Sequence, residues 1–299
     1  MKAMILAIFG LVIFAGCNRS KEPTTTSGSA TVLVTESHLR LLTEEATEFM
    51  RTYADAKLQM SGTTTREAIV ALLNDSVHCI CVDRELNAEE RKVVKDAGKQ
   101  IAVIRFGRNA LAVIVNNRVP LKTMTLKTLV GIIEGSVTDW RQIPGAFTTG
   151  RMDLALTGRN SGTYELLQRG FFHLAKDLAT THSVATEYEV ADYVSLNSKA
   201  LGVVSLAALL ENPRGIHILA LDSPDSTMQG QFVQPSQSNI FEMLYPLSYS
   251  LYLYVSENRL GVGSGFSTFV RSMPGQKIIQ NFGLVPEKLP ERIIQLNSE

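Results

Sequence analysis

The sequence predicts an α/β fold in which parallel strands alternate with helices. Short apolar runs rich in Val, Ile and Leu recur along the chain, and segments with helical spacing lie between them. The 299 residues are enough for one large domain or two smaller ones. The composition is 45% hydrophobic and 19% charged, and 29 basic side chains balance 29 acidic ones, which argues against a nucleic-acid-binding surface.

Each predicted element depends on its own pattern. Apolar residues at helical spacing predict helices over 42–53 and 69–73. Six runs are predicted strands: TVLVT (31–35), VHCICV (77–82), IAVIRF (101–106), ALAVIVN (110–116), MDLALT (152–157) and LGVVSL (201–206).

The amino terminus has the features of a targeting segment. Lys2 precedes the apolar run AMILAIFGLVIFAG, which is too short for a typical spanning helix but has the length of a signal-peptide core. The run ends in FAGC, which resembles a bacterial lipobox with Cys17 as the lipidated first residue of the mature protein. We therefore expect a lipoprotein signal peptide over 1–17 and a membrane anchor at Cys17; a buried amino-terminal helix is the alternative.

The segment after Cys17 is polar. Residues 18–30, NRSKEPTTTSGSA, are rich in Ser, Thr, Gly and Pro and contain too little apolar surface to fold. We expect a flexible tether here, with the globular body beginning at residue 31.

The two remaining cysteines, Cys79 and Cys81, are two positions apart in a predicted strand, so their side chains should point to one face. Only His78 is adjacent in sequence, which is too few ligands for a metal site. A disulfide and a pair of buried thiols both stay open.

Polar residues follow several predicted strands, and ligands of open α/β sheets bind at the carboxyl ends of strands. The first strand ends at Thr35, and the second leads into Asp83 and Arg84. The segment SGTTTREA adds hydroxyls at the head of a helix: Ser61, Thr63, Thr64 and Thr65.

The stretch TGRNSGTYELLQRGFF, residues 157–172, places Ser161, Gly162 and Thr163 at a helix start. The first N–H groups of a helix have no intrahelical partner and lie at the positive end of its dipole, so they can bind an anion. Gly162 lets a ligand approach the backbone, and Arg159 adds a permanent charge. A simple helix cap is the alternative.

Six fragments in order make the chain resemble the PstS-type periplasmic phosphate-binding proteins. The resemblance implies a class II periplasmic-binding-protein fold, with two α/β lobes joined by crossover strands and a ligand cleft between them. It implies one lobe over 31–108 plus 251–299 and the other over 109–250. The fragments are ALAVIVNN, LKTLVGIIEGSVTDWRQIPG, GRNSGTYELLQRGFF, LGVVSLA, YPLSYSLYLYV and GQKIIQNFGLVP.

The resemblance also implies a function: a monomer that captures inorganic phosphate without catalysis or cofactor and hands it to an ABC permease at the cell envelope. An ionised Asp83 can only accept hydrogen bonds, so it favours a protonated anion such as phosphate over sulfate. The implied ligand residues are Thr35, Thr64 or Thr65, Asp83, Arg159, Ser161, Gly162 and Thr163.

Three loops depart from the family pattern. Arg159 is only two residues before Ser161, whereas the family often has its basic residue further upstream, so Arg84 or Arg66 could supply the cation. The first loop, VTESHLR, has Glu36 and His38 where small residues are expected, and a carboxylate there would oppose an anion. The second loop, GTTTREA, lacks the usual glycines.

Other functions stay open on these grounds. The cleft could bind another oxyanion such as sulfate, molybdate or arsenate, or the protein could be a transport-inactive sensor or interaction module. An enzyme is disfavoured because the sequence has no nucleophile elbow, Walker loop or His-Glu-x-x-His motif, and its five histidines are scattered.

Overall fold

The computed structural model describes residues 24–210, 214–223, 230–256 and 261–288. The predictions of a signal peptide over 1–17, of a lipidated Cys17 and of a tether over 18–23 lie outside the described residues. Within the described ranges, no helix combines the length and apolarity that a membrane crossing needs.

The strands form one large curled sheet and one small one. The strands are β1 Gly28–Thr35, β2 Ala56–Thr63, β3 Cys79–Val82, β4 Ala102–Asn116, β5 Thr123–Met124, β6 Asp153–Thr157, β7 His182–Val184, β8 Ala200–Ser205, β9 Ile216–Ile218, β10 Ala220–Asp222, β11 Phe232–Val233, β12 Ser248–Val255 and β13 Val285–Pro286. The large sheet has the order β2-β1-β3-β12-β4-β8-β6-β7, with β9 and β13 also paired to β4, and the small sheet is β11-β10-β5.

Helices connect these strands and cover the sheet. The fifth helix continues as a π-helical turn, Leu166–Phe171, so the helical run that begins at Gly162 is longer than its first element. The helices are α1 Leu39–Thr52, α2 Thr65–Leu73, α3 Ala88–Asp96, α4 Leu126–Glu134, α5 Gly162–Glu165, α6 Glu187–Leu196, α7 Leu206–Leu209, α8 Gln237–Phe241, α9 Val262–Val270 and α10 Met273–Phe282.

The central strand β4 joins the two halves of the sheet. It pairs with β12 up to Ala110 and with β8 from Leu111 onward. The two predicted strands over 101–106 and 110–116 are therefore one strand, because the residues between them stay extended and hydrogen-bonded to β12. The two-lobed α/β fold is confirmed, while the lobe boundaries at 108 and 250 stay predictions.

The prediction of parallel strands is correct within each half and wrong at the crossover. Strands β2, β1 and β3 are parallel to one another, and so are β7, β6 and β8. Strand β4 is antiparallel to both β12 and β8. The first half of the sheet comprises β1 to β3 and the second half β6 to β8, and the strands between them, β12 and β4, are antiparallel to their neighbours.

The end of the predicted tether belongs to the folded body. Strand β1 begins at Gly28 because 28–30 pair with the start of β2, so the tether prediction is wrong for these three positions. The preceding residues form a turn in which Thr24 and Ser27 are bridged. Strand β2 was not among the predicted strands, because its residues are mostly half-exposed and lack a continuous apolar run.

The cysteines of β3 are part of the packed core. Cys79 and Cys81 are buried thiols that belong to the same hydrophobic cluster as Phe49 and Phe106. Of the two possibilities left open for this pair, the structure has the buried thiols.

Candidate functional site

A cleft lies where the carboxyl ends of strands from both halves of the sheet meet. It is narrow: the cavity itself measures about 20 Å³, and the space counted out to its open mouth is about 300 Å³. Wider hollows exist, such as the one between α1 and α10, which lies on the outer faces of these two helices. The residues lining the cleft are Thr35, Glu36, Ser37, Thr63, Thr64, Thr157, Ser161, Gly162, Ala185, Thr186 and Glu187.

Asp83 lies directly against the start of α5. It follows β3, is buried, and accepts a hydrogen bond at Oδ1 from the Thr65 hydroxyl at 2.7 Å. A Cβ added to Gly162 would be only 1.8 Å from Asp83 Oδ2. Only glycine at 162 therefore allows this carboxylate to approach the first N–H groups of α5.

Its environment makes Asp83 a weaker acid than an ordinary aspartate. Burial raises the pKa of Asp83 from its ordinary 3.8 to about 6, with a further increase from the charge of Glu187, while the hydrogen bond from Thr65 opposes the change. Near neutral pH this carboxyl group can thus accept or share a proton with a ligand in contact with it.

Ser161 is the helix cap that the sequence left open as the alternative, and it also lines the cleft. As the N-cap of α5 it accepts the Tyr164 N–H at Oγ over 3.2 Å. The same oxygen lies 2.5 Å from Thr157 Oγ1. As in any first helical turn, the N–H groups of Gly162 and Thr163 have no carbonyl within the helix, which leaves them available to an oxyanion.

The hydroxyl of Thr163 faces a second buried carboxylate. It donates to Glu187 Oε1, and the other oxygen of Glu187 accepts the Ser205 N–H at 2.9 Å. Glu187 is the first residue of α6, and Ser205 ends β8. Burial raises the pKa of Glu187, although the hydrogen bonds from Ser205 and Thr163 lower it.

The structure does not bring Arg159 to the cleft. Its guanidinium pairs with Asp177 at 2.5 Å, and its side chain is 70% exposed. The short spacing between Arg159 and Ser161 is the reason. The position four residues before Ser161, at the end of β6, lines the cleft, and in this chain it is occupied by Thr157 instead of an arginine.

The two alternative cations are also placed elsewhere. Arg84 is held by Glu90 and Glu165, and both the Arg84 and the Glu165 side chains are mostly buried. Arg66 is exposed at the start of α2, where its backbone N–H donates to the Asn160 carbonyl at 3.2 Å. Among the described residues that line the cleft, none is Lys or Arg.

Two of the hydroxyls expected from the first two loops line the cleft, those of Thr35 and Thr64, while Thr65 is fully buried outside the lining. The Thr35 hydroxyl donates to the Cys81 carbonyl at 3.1 Å, and Thr65 donates to Asp83. Thr35 and Thr65 would therefore have to reorient to donate to a ligand. Thr64 caps α2 by accepting the Glu67 N–H, a bond that does not use its own hydroxyl proton.

The unusual first loop divides into one residue at the cleft and one behind it. Glu36 lines the cleft, and burial, with repulsion from Glu189 and Glu67, raises its pKa. His38 is fully buried and shares hydrogen bonds with Ser37 and Asn109. Burial lowers the pKa of His38 to about 3, so it is neutral near pH 7.

Sequence reasoning missed Thr157 and Glu187. Thr157 was present as the last residue of a predicted strand, and a strand end is the signal for it. Glu187 follows Thr186, which forms a capping box with Glu189, so the local sequence does identify a helix start. Its contact with Ser205 depends on tertiary packing and has no local signal.

Comparison with known proteins gives the class of this chain. Residues 19–273 match the family model of the PBP (periplasmic binding protein) superfamily domain. The match covers most of the 299 residues, and the chain belongs to this superfamily.

Curated relatives narrow the likeness. Protein SphX of Synechococcus elongatus is 22% identical over 248 residues, covering 81% of this chain and 72% of the relative. The phosphate-binding protein PstS of Pseudomonas aeruginosa is 22% identical over 289 residues, covering 90% of this chain and 85% of the relative. These are the relatives to which the sequence motifs pointed.

Solved structures share the two-lobed fold. A substrate-binding protein from Clostridium perfringens with bound phosphate has a TM-score of 0.75 at 20% identity, covering 87% of this chain and 100% of that one. An ABC-type phosphate transport receptor from Vibrio cholerae has a TM-score of 0.68 at 20% identity, with 87% and 100% covered.

Proposed function

We propose that this protein is the solute-binding component of a phosphate ABC transporter, anchored to the membrane through Cys17. It captures inorganic phosphate in the cleft, does not catalyse a reaction, and delivers the anion to a permease at the cell envelope as a monomer. The observation that carries the proposal is the contact of Asp83 with Gly162. It places an acceptor for the proton of the anion beside the N–H donors of α5.

The two halves of the sheet supply complementary parts of the site. The first half contributes Thr35 and Asp83, and the second contributes Ser161, Gly162 and Thr163. Because neither half offers the whole set, the anion favours the state in which both are together. The proposed ligand groups thus include most of those expected from the sequence, without Arg159.

Relatives support the choice of phosphate. The Pseudomonas aeruginosa relative is named as a phosphate-binding protein, and the Clostridium perfringens structure holds bound phosphate. A protonated phosphate can donate to Asp83, whereas sulfate would place an unprotonated oxyanion against a buried carboxyl group.

Isothermal titration of the full chain in detergent, after any bound anion has been stripped, tests the proposal. We expect binding of phosphate at micromolar concentration or below and little binding of sulfate. A chain that binds neither anion would contradict the proposal.

Exchange of Asp83 tests the role of its carboxyl group. In Asp83→Asn the amide still accepts from Thr65 but also donates N–H groups, so phosphate affinity should fall by about 1 to 3 kcal/mol while sulfate affinity rises. Asp177→Asn, which changes an acidic group outside the cleft, is the matched control. Equal phosphate-to-sulfate ratios for Asp83→Asn and the control, measured by titration, would rule out this role.

One observation favours a second candidate. The cleft lining combines Glu36 and Glu187 with no cation, which opposes a dianion. If the cleft binds none of phosphate, sulfate, molybdate and arsenate, the second candidate holds: the protein is a sensor or interaction module on the same fold. The same titration, extended to these anions, separates the two candidates.

A further inference from the structure

The second buried carboxylate, that of Glu187, is not used by the proposed function. It is 8% exposed and lines the cleft at the first position of α6. Its two oxygens accept from the Thr163 hydroxyl and from the Ser205 N–H. Each carboxylate oxygen has two lone pairs, so Glu187 retains capacity to accept from a ligand in the cleft.

The groups that face Glu187 do not balance its charge. Glu36 after β1 and Asp83 after β3 repel it. The pKa of each is raised, mainly by burial, which is complete for Asp83 and partial for Glu36. Tyr249 of β12 also interacts with Glu187 and stays neutral, since burial raises its pKa well above the ordinary value. Arg84, the residue after Asp83, is bound to Glu90 and Glu165.

A dianion would therefore enter a site that already holds buried negative charge and has no cation in its described lining. Charge repulsion of this kind is relieved when a proton is taken up with the anion. A phosphate monoanion carries two O–H groups. Two buried carboxyl groups lie at the cleft: Glu187 lines it, and Asp83 lies against Gly162, which lines it.

Building on the proposed function, we propose that Glu187 is a specificity-determining residue that accepts a hydrogen bond from a second protonated oxygen of the anion. The cleft then holds phosphate as the doubly protonated monoanion, and at alkaline pH one proton is taken from solvent for each phosphate bound. The ligand class is a singly charged tetrahedral oxyanion with two O–H donors.

A purely structural role of Glu187 gives a different result. Through Thr163 and Ser205 the side chain connects α5, α6 and β8, and loss of these hydrogen bonds could weaken binding by disturbing the cleft. That role changes affinity without changing the number of protons that accompany the anion. The proton number is thus the measurement that separates the two roles.

The test is calorimetric titration of the full chain with inorganic phosphate at about pH 8, in two buffers of different ionisation enthalpy, which gives the protons taken up per phosphate. We expect about one proton for the unmodified chain and about none for Glu187→Gln. Between about pH 7 and pH 8.5 the phosphate affinity of the unmodified chain should fall as pH rises. For each pH unit this fall should exceed that of Glu187→Gln by a factor of about ten.

Two further variants complete the design. Glu189→Gln makes the same exchange on the exposed side of α6, where the amide oxygen can still accept the Thr186 N–H, and should take up the same proton as the unmodified chain. Glu187→Asp keeps the carboxyl group and should restore proton uptake.

Each outcome decides the proposal. Absence of proton uptake by the unmodified chain overturns it even if Glu187→Gln fails to fold, and so do equal proton numbers for the unmodified chain and Glu187→Gln. In both cases phosphate binding itself, and with it the proposed function, stands. No phosphate binding at any pH from about 5 to 8.5 overturns the proposed function and this inference together.

Discussion

At the scale of single residues, Glu45 in α1 is placed against the usual rule that a buried charge has a partner. Its side chain lies in the middle of the buried face of the helix and is 0% exposed. Within the described part of the chain neither carboxylate oxygen has a hydrogen-bond partner. Burial, with a smaller effect of Glu44, raises the pKa of Glu45 from 4.5 to about 9.

Glu45 should make the fold lose stability at alkaline pH. The native state holds a proton that the unfolded chain has released above pH 4.5, so the free energy of unfolding falls as pH rises from 4.5 towards about 9. The loss is at most about 1.4 kcal/mol per pH unit. We expect Glu45→Leu to raise the melting temperature, and to raise it more at about pH 8 than at about pH 5.

Thermal melts monitored by circular dichroism measure this effect. Glu44→Gln, which removes the smaller cause of the raised Glu45 pKa and leaves Glu45 buried, is the matched control and should reduce the pH dependence only slightly. If Glu45→Leu and the unmodified chain lose stability in parallel as pH rises, Glu45 is ionised in the native state and the assignment is wrong.

At the scale of elements, the amino-terminal turn is docked on α9 rather than loose. A Cβ added to Gly265 would lie 1.8 Å from the Thr25 carbonyl oxygen, so the backbone of the turn packs directly against α9 at this point. The first described residues thus lie beside α9, at the first half of the sheet, where α9 packs against β1.

Gly265→Ala should release this turn. The atom that the new Cβ meets is backbone, which cannot move aside as the end of a side chain can, so residues 24–27 must move away. The expected loss of folding stability is about 1 to 3 kcal/mol. The better helix propensity of Ala partly offsets this loss. Limited proteolysis with mass spectrometry should then detect faster cleavage in this turn. Gly170→Ala, where the added Cβ meets only a Leu166 side-chain carbon at 3.4 Å, is the control. Equal cleavage of both variants would contradict the docking.

The success of sequence reasoning also varied between elements. The buried strands β1, β3, β6 and β8 and the amphipathic helix α1 were predicted because their patterns are local. Strand β2 was missed because its stability depends on pairing with β1 rather than on its own apolar residues. The antiparallel crossover of β4 and β12 is a property of topology, which periodicity does not encode.

The same distinction holds within the site. Ser161 and Gly162 line the cleft as the sequence predicts, because a helix start is a local motif, while Thr163 is buried and donates to Glu187. The position of Arg159 was not predicted, since pairing with Asp177 depends on a later segment of the chain. The clustering of Asp83 with Glu187 likewise appears only after both halves of the sheet have come together.

At the scale of the whole molecule, Arg84 connects the two halves across the cleft. It follows β3 in the first half, and its guanidinium pairs with Glu165 of α5 in the second half. The side chains are 14% and 12% exposed, so water screens this ion pair little. Arg84 has a second partner, Glu90, on its own side of the cleft. The contact between the two halves is thus held in part by protein groups alone.

Glu165→Gln should shift the ligand-free protein towards an open arrangement. Arg84 keeps Glu90 as a partner, so the loss is that of one hydrogen bond between charged groups, about 1.5 to 3 kcal/mol. Because only the closed form binds fully, phosphate affinity should fall by about tenfold to a hundredfold. Small-angle scattering should show a larger radius of gyration without phosphate and recovery with it. Glu90→Gln removes the partner on the same side as Arg84 and should leave the ligand-free scattering unchanged. Identical scattering for Glu165→Gln and the unmodified chain would show that the pair does not hold the halves together.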